Sequence, residues 1–126
     1  MKSPTTKLQK KCDSYLTPII KLLHPKCLLC GKPTEVAHHH IHKSKSAILR
    51  YNFDNLINLC HHCHFVLHQN ESYWASKIVQ IKGLKWFAKL EKKKDTFDPN
   101  FKVNIGYYKE VQERLEKELK KLSTSQ

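Results

Sequence analysis

Apolar positions in this chain recur mostly at three- and four-residue steps. Between positions 6 and 23, Leu8, Cys12, Tyr15, Leu16, Ile19, Ile20 and Leu23 fall on one stripe, which predicts an amphipathic helix that Pro18 must kink or split. Two further helical patterns cover 72–82 and 84–94, with Gly83 between them as a C-cap or bend, and Ile78, Ile81, Leu84, Phe87 and Leu90 read as core. Tyr108, Val111, Leu115, Leu119 and Leu122 define a last helix over 107–122, lined with Glu110/Arg114, Glu113/Lys117 and Glu116/Lys120 one turn apart. Its narrow stripe suits packing on the domain, or a homodimer through this helix.

Strand signals are confined to the middle. A strand is expected over 35–41 and a second strand or extended piece over 48–53, with Asp54-Asn55 as the turn out of it. Residues 96–106 include Pro99 and have no period, so they read as a loop, and 123–126 as a tail. The expected architecture is α+β, mostly α, with residues 1–95 forming the main domain around a core at 27–68.

At 126 residues and 40% hydrophobic content the chain is one domain with a modest core, of a size that gains from a metal staple. A net charge of +12 points to a polyanionic partner, with nucleic acid ahead of a membrane. The apolar runs are too short to span a bilayer and the start is polar and lysine-bearing, so the expected location is cytoplasmic, without membrane association.

The chemistry is concentrated between Cys27 and His68. Cys27-x-x-Cys30 and Cys60-x-x-Cys63 form two knuckles, and Gly31 after the first permits a tight turn. Paired spacing fits metal ligation better than disulfides, and a thiolate tetrad suits a structural Zn2+. Cys12 is left over and falls on the apolar stripe of the first helix, where a buried core role is expected. All nine histidines lie between 24 and 68. His64 and His68 stand one turn apart on the helix that the second knuckle opens, a spacing that can hold one ion with imidazoles and leave positions open for chemistry. His24, His61 and His62 are expected to be exposed around the knuckles.

The order His39-His40-Ile41, Asp54-Asn55-Leu56, then Cys60-x-x-Cys63-His64-x-x-x-His68 resembles the HNH endonuclease family, whose core is two strands and a helix around one divalent ion. With Leu49-Arg50-Tyr51 ahead of the asparagine and a helical tail, the chain looks like the phage-encoded HNH nucleases related to the NinG/Rap recombination proteins. The resemblance implies a metal-dependent endonuclease acting on double-stranded or branched DNA, phage-encoded and working in a host cell. It also implies that His39, His64 and His68 hold the catalytic metal, that His40 is the general base and that Asn55 fixes the loop carrying it.

Neighbours on a strand point to opposite faces, so His39 and His40 cannot easily share an ion, and one is free to deprotonate water. The triple His38-His39-His40 admits a second register, with His38 as ligand and His39 as base. Ile41, which follows as the apolar residue does in the family pattern, favours the later pair. Ligand softness favours Mn2+, Ni2+, Co2+ or Zn2+ and abundance favours Mg2+, so the catalytic ion stays open. Arg50, His42, Lys43 and Lys45 are candidate DNA contacts, while the lysines from Lys82 to Lys94 suit a solvated face that attracts phosphate without reading sequence. The rival class is a zinc-stapled nucleic-acid-binding module that does not cleave.

Overall fold

A computed structural model describes residues 3–96, 98 and 100–124. In chain order the elements are α1 (Pro4–Asp13), α2 (Leu16–Leu23), β1 (Val36–His39), a 3-10 turn (Phe53–Asn55), β2 (Leu56–Leu59), α3 (His61–Gln69), α4 (Glu71–Lys82), α5 (Leu84–Asp95) and α6 (Ile105–Thr124). The fold is therefore α+β and mostly helical.

The expected first helix is two helices. Ser3 caps α1 by accepting the Thr6 N–H, and the break falls at Ser14-Tyr15, just ahead of Pro18. Pro18 cannot donate to the Ser14 carbonyl four residues back. Placed in the first turn of a fresh helix, it needs no such partner. Tyr108, Val111 and Leu115 of α6 are buried with Cys12, Leu16, Ile19 and Ile20, so the C-terminal stripe packs on α1 and α2 of its own chain. Burial of a side chain such as Leu115 contributes about 1.5–3 kcal/mol, which is why this long helix docks. Helix α6 begins at Ile105, ahead of the expected 107, and includes 123–124 of the expected tail. Of the three expected ion pairs on it, Glu113–Lys117 forms at 3.3 Å, while Glu116 accepts from Tyr15 instead and Arg114 donates to the Tyr51 carbonyl. Phe97 and Pro99 of the expected loop, and 125–126 of the tail, lie outside the described residues.

The two strands pair antiparallel, Val36 opposite Leu59 and His39 opposite Leu56. The second strand thus follows Asn55 and does not occupy 48–53. Residues 46–55 turn instead: Ser46 Oγ accepts the Leu49 N–H, the Leu49 carbonyl accepts the Asn52 N–H and Asn52 Oδ1 accepts the Asp54 N–H. Such side-chain acceptors compete with a sheet ladder. Leu56-Ile57-Asn58-Leu59 is buried throughout, so it has no polar alternation to mark it as a strand. Its two faces serve two cores, with Leu56 joining α1, α2 and α6 while Ile57 and Leu59 meet Leu67 and Ile78.

Two residues expected in the core are at the surface. Ile81 is 53% and Leu84 77% exposed, because Gly83 at φ 103° ends α4 and leaves both flanking the bend. Ile78 and Leu90 are buried, and Phe87 is half-buried against His40. Among the described residues no helix is long and apolar enough to cross a membrane.

Candidate active site

The cysteine knuckles come together first. Gly31, at φ 81°, lets the chain fold back after Cys30, so that Gly31 donates to the Cys27 carbonyl and Cys27 to that of Lys32. Cys60 caps α3, its Sγ accepting the Cys63 N–H at 3.4 Å. The four sulfurs lie within 4.8 Å of one another, with Cys30 and Cys60 at 3.6 Å. A tetrahedral ion with Zn–S bonds near 2.3 Å needs sulfurs about 3.8 Å apart, so the donor set fits a structural zinc. Burial opposes ionisation of Cys27, yet backbone N–H groups of Cys60, Cys30 and Leu29 draw its thiol down to about 7. Burial and the neighbouring sulfurs push Cys63 the other way, so the tetrad as a whole ionises when a cation arrives and protons leave.

The second cluster joins β1 to α3. His38, His64 and His68 each offer a ring nitrogen within the same 4.8 Å span, and His64 Nε2 lies 3.0 Å from His68 Nε2. Imidazoles on one tetrahedral ion sit about 3.3 Å apart, so this set also fits a metal. Burial first, then the rings of His64 and His68, push His38 down to about 3. Burial also lowers His64. Both rings are held neutral, the form that binds a cation. Glu71, at the start of α4, meets His68 Nδ1 at 3.0 Å and His42 at 3.6 Å. A carboxylate there fixes the tautomer of His68 and leaves its Nε2 to face the cluster.

The structure therefore puts His38, not His39, with His64 and His68. Strand alternation turns His39 away, and its Nε2 donates to the Arg50 carbonyl at 2.9 Å. Nδ1 is left as the basic atom of that ring. Burial lowers its proton affinity, while the carbonyl contact works against the shift. His40 goes elsewhere: the strand has ended, its N–H donates to the Asn55 carbonyl, and its ring packs 4.9 Å from Trp86 and 5.8 Å from Phe87. The base assigned to His40 is thus separated from the cluster, whereas His39 shares with it a cleft of about 480 Å³ that also includes Asp13, Thr17, His42, Lys43 and Ser44.

Asn55 is fully buried and stands outside both clusters. Its Oδ1 accepts the Ile41 N–H at 2.7 Å, and its Nδ2 donates to the carbonyls of Ile41 and Leu49. It ties both ends of the 41–49 loop behind the histidines. Arg50 is not a surface cation: its guanidinium grips Asp13 at 2.6 and 3.0 Å and its side chain is only 15% exposed. Lys43 and Lys45 are exposed, as are His24, His61 and His62.

A family model described as the bacteriophage lambda NinG protein matches residues 2–125. The chain belongs to the NinG family. No curated protein and no solved structure matches it. The match spans α1 and α6 as well as the two clusters, so the terminal helices belong to the NinG unit.

Acid should unfold this NinG chain. His38, His39, His40 and His64 all sit below the ordinary imidazole value, with burial the largest cause in each. The unfolded chain therefore binds more protons below pH ~6.5, and stability held above that value is lost as pH falls toward the folded values, His38 last at about 3. Melting temperature is expected to drop steadily from pH 6.5 to 4.5, and a flat profile there would contradict the burial of these rings.

Proposed function

We propose that this NinG-family protein is a metal-dependent endonuclease of the HNH type that hydrolyses phosphodiester bonds in double-stranded or branched DNA during recombination or DNA processing. One observation carries the reading: a three-imidazole cluster shares its cleft with a fourth imidazole, His39, whose Nε2 is tied to a backbone carbonyl. The succession β1, β2, α3, with imidazoles contributed by the first strand and the helix, supports the HNH resemblance.

In this reading His38, His64 and His68 hold a divalent ion, which when bound supplies positive charge to the scissile phosphate and the leaving oxygen. His39 acts as general base in place of His40. Its Nδ1 takes a proton from water as the water oxygen bonds to phosphorus and the P–O3′ bond breaks, and the leaving 3′ oxygen takes a proton from a second water, giving a 5′-phosphate and a 3′-hydroxyl, as the family resemblance implies. Asn55 holds the loop behind the base. Lys43 at the cleft, with Lys85, Lys89, Lys92 and Lys93 around a groove of about 770 Å³ on α5, supports contact with a phosphate backbone, in line with the net charge of +12.

Supercoiled plasmid incubated with the protein and Mg2+, Mn2+ or Ni2+ tests this directly. Nicked or linear product that disappears with chelator is expected. Tight binding with intact plasmid under every metal would make the protein a zinc-stapled binding module instead.

A further inference from the structure

We infer that Asp13 of α1 and Arg114 of α6 are positioning residues for His39, acting through residues 49–51, so that the two terminal helices are working parts of the site. The inference rests on the nuclease reading for its activity arm only. Residues Leu49, Arg50 and Tyr51 form the short stretch on which His39 leans, because the Arg50 carbonyl accepts its Nε2–H at 2.9 Å. A base tethered to one carbonyl is only as well oriented as the backbone that carries it.

That backbone is held from three elements. Asn55 Nδ2 donates to the Leu49 carbonyl at 3.4 Å, from the 3-10 turn just ahead of β2. Asp13 takes the Arg50 guanidinium side-on, Oδ1 to Nε at 3.0 Å and Oδ2 to Nη2 at 2.6 Å, and accepts the Tyr51 hydroxyl at 2.9 Å. Arg114 Nη2 donates to the Tyr51 carbonyl at 3.2 Å. Tyr51 is 2% exposed among Tyr107 and Tyr108 of α6, so both helices grip the stretch in a packed setting.

Two-point Arg–carboxylate contacts are the strongest and most direction-specific of side-chain pairs. Without Asp13 the guanidinium loses its partner and residues 50–51 are free to turn, which moves the carbonyl that selects the Nε2–H tautomer of His39. The bonds of this clamp go to Arg50 and Tyr51 and not to His38, His64 or His68, so the metal content is expected to stay the same. The His39 basic atom is what changes.

The test uses the full-length zinc-loaded protein and the variants Asp13→Ala, Asp13→Asn and Arg114→Gln, with Asp13→Asn retaining size and hydrogen bonding if the alanine variant fails to fold. Nitrogen-15 NMR of the histidine rings reads the tautomer, and plasmid cleavage reads kcat and KM separately. In the unmodified protein His39 is expected as the Nε2–H form. In each folded variant it should become a mixture, with kcat lower by ~10- to 100-fold, the range seen when an outer partner of a site residue is lost, and KM for DNA within about twofold. An unchanged tautomer in a folded Asp13 variant overturns the inference, whatever happens to the rate. So does a shifted tautomer with full kcat. If the unmodified protein cuts no DNA, the nuclease reading fails and the tautomer measurement alone decides whether the clamp exists.

Discussion

Replacing Cys60 by serine should leave the protein unfolded and without its structural ion. The sulfurs of Cys27, Cys30, Cys60 and Cys63 bring the turn after α2 to the start of α3, a junction otherwise held by a few hydrogen bonds such as Leu28 N–H to the Asn58 carbonyl. A zinc held this way contributes on the order of 10–16 kcal/mol, against a total stability of about 5–15 kcal/mol for a domain. Serine keeps an oxygen that can cap α3, so the cap is not what the substitution removes. It removes the soft, ionisable donor. Circular dichroism on heating, with zinc measured by elemental analysis, should show no cooperative transition and no bound zinc. Cys12→Ser is the control: the buried Cys12 thiol donates to the Tyr108 carbonyl, a bond serine can also make, and its melting curve should stay cooperative. A metal-free Cys60→Ser protein with the parent's melting curve would refute the staple.

How much of this could be read from the chain depends on which force left a trace in it. Helical stripes did, because α6 and α2 bury one face and expose the other; Tyr108, Val111 and Leu115 lie where their spacing predicts. The cysteine tetrad was equally legible, since two knuckles can close on one ion only if all four sulfurs meet. Strand β2 left no such trace, being buried on both faces, and the preceding turn is built by Ser46 and Asn52 side chains whose competition with a ladder has no period. The histidine register leaves no trace for a related reason. Three consecutive imidazoles are equivalent in sequence, and only the pairing of His38 with Ile57 decides which one faces α3. Glu71 had a faint signal, three residues beyond His68. Asp13 had none, because its partner, the half-buried Arg50, lies 37 positions away.

Separating ligand from base among those three histidines has the largest expected effect on cleavage. His39→Ala should lose ~10²- to 10⁴-fold in rate, the usual cost of a missing general base, while both ions stay bound, since its ring contacts the Arg50 carbonyl and not the cluster. His38→Ala should fail differently, keeping the cysteine-held zinc but falling toward one ion per chain, because His64 and His68 alone leave the second ion two imidazoles. His40→Ala removes packing on Trp86 and Phe87, so it should lower the melting temperature while leaving cleavage of the folded fraction and the ion count largely intact. Elemental analysis beside plasmid cleavage distinguishes the three patterns. If His40→Ala were the inactive variant with both ions retained, and His39→Ala the one that lost an ion, β1 would have to be shifted by one residue against β2, which would carry Ala37 and His39 toward α3 and undo the buried pairing from Val36 to Leu59.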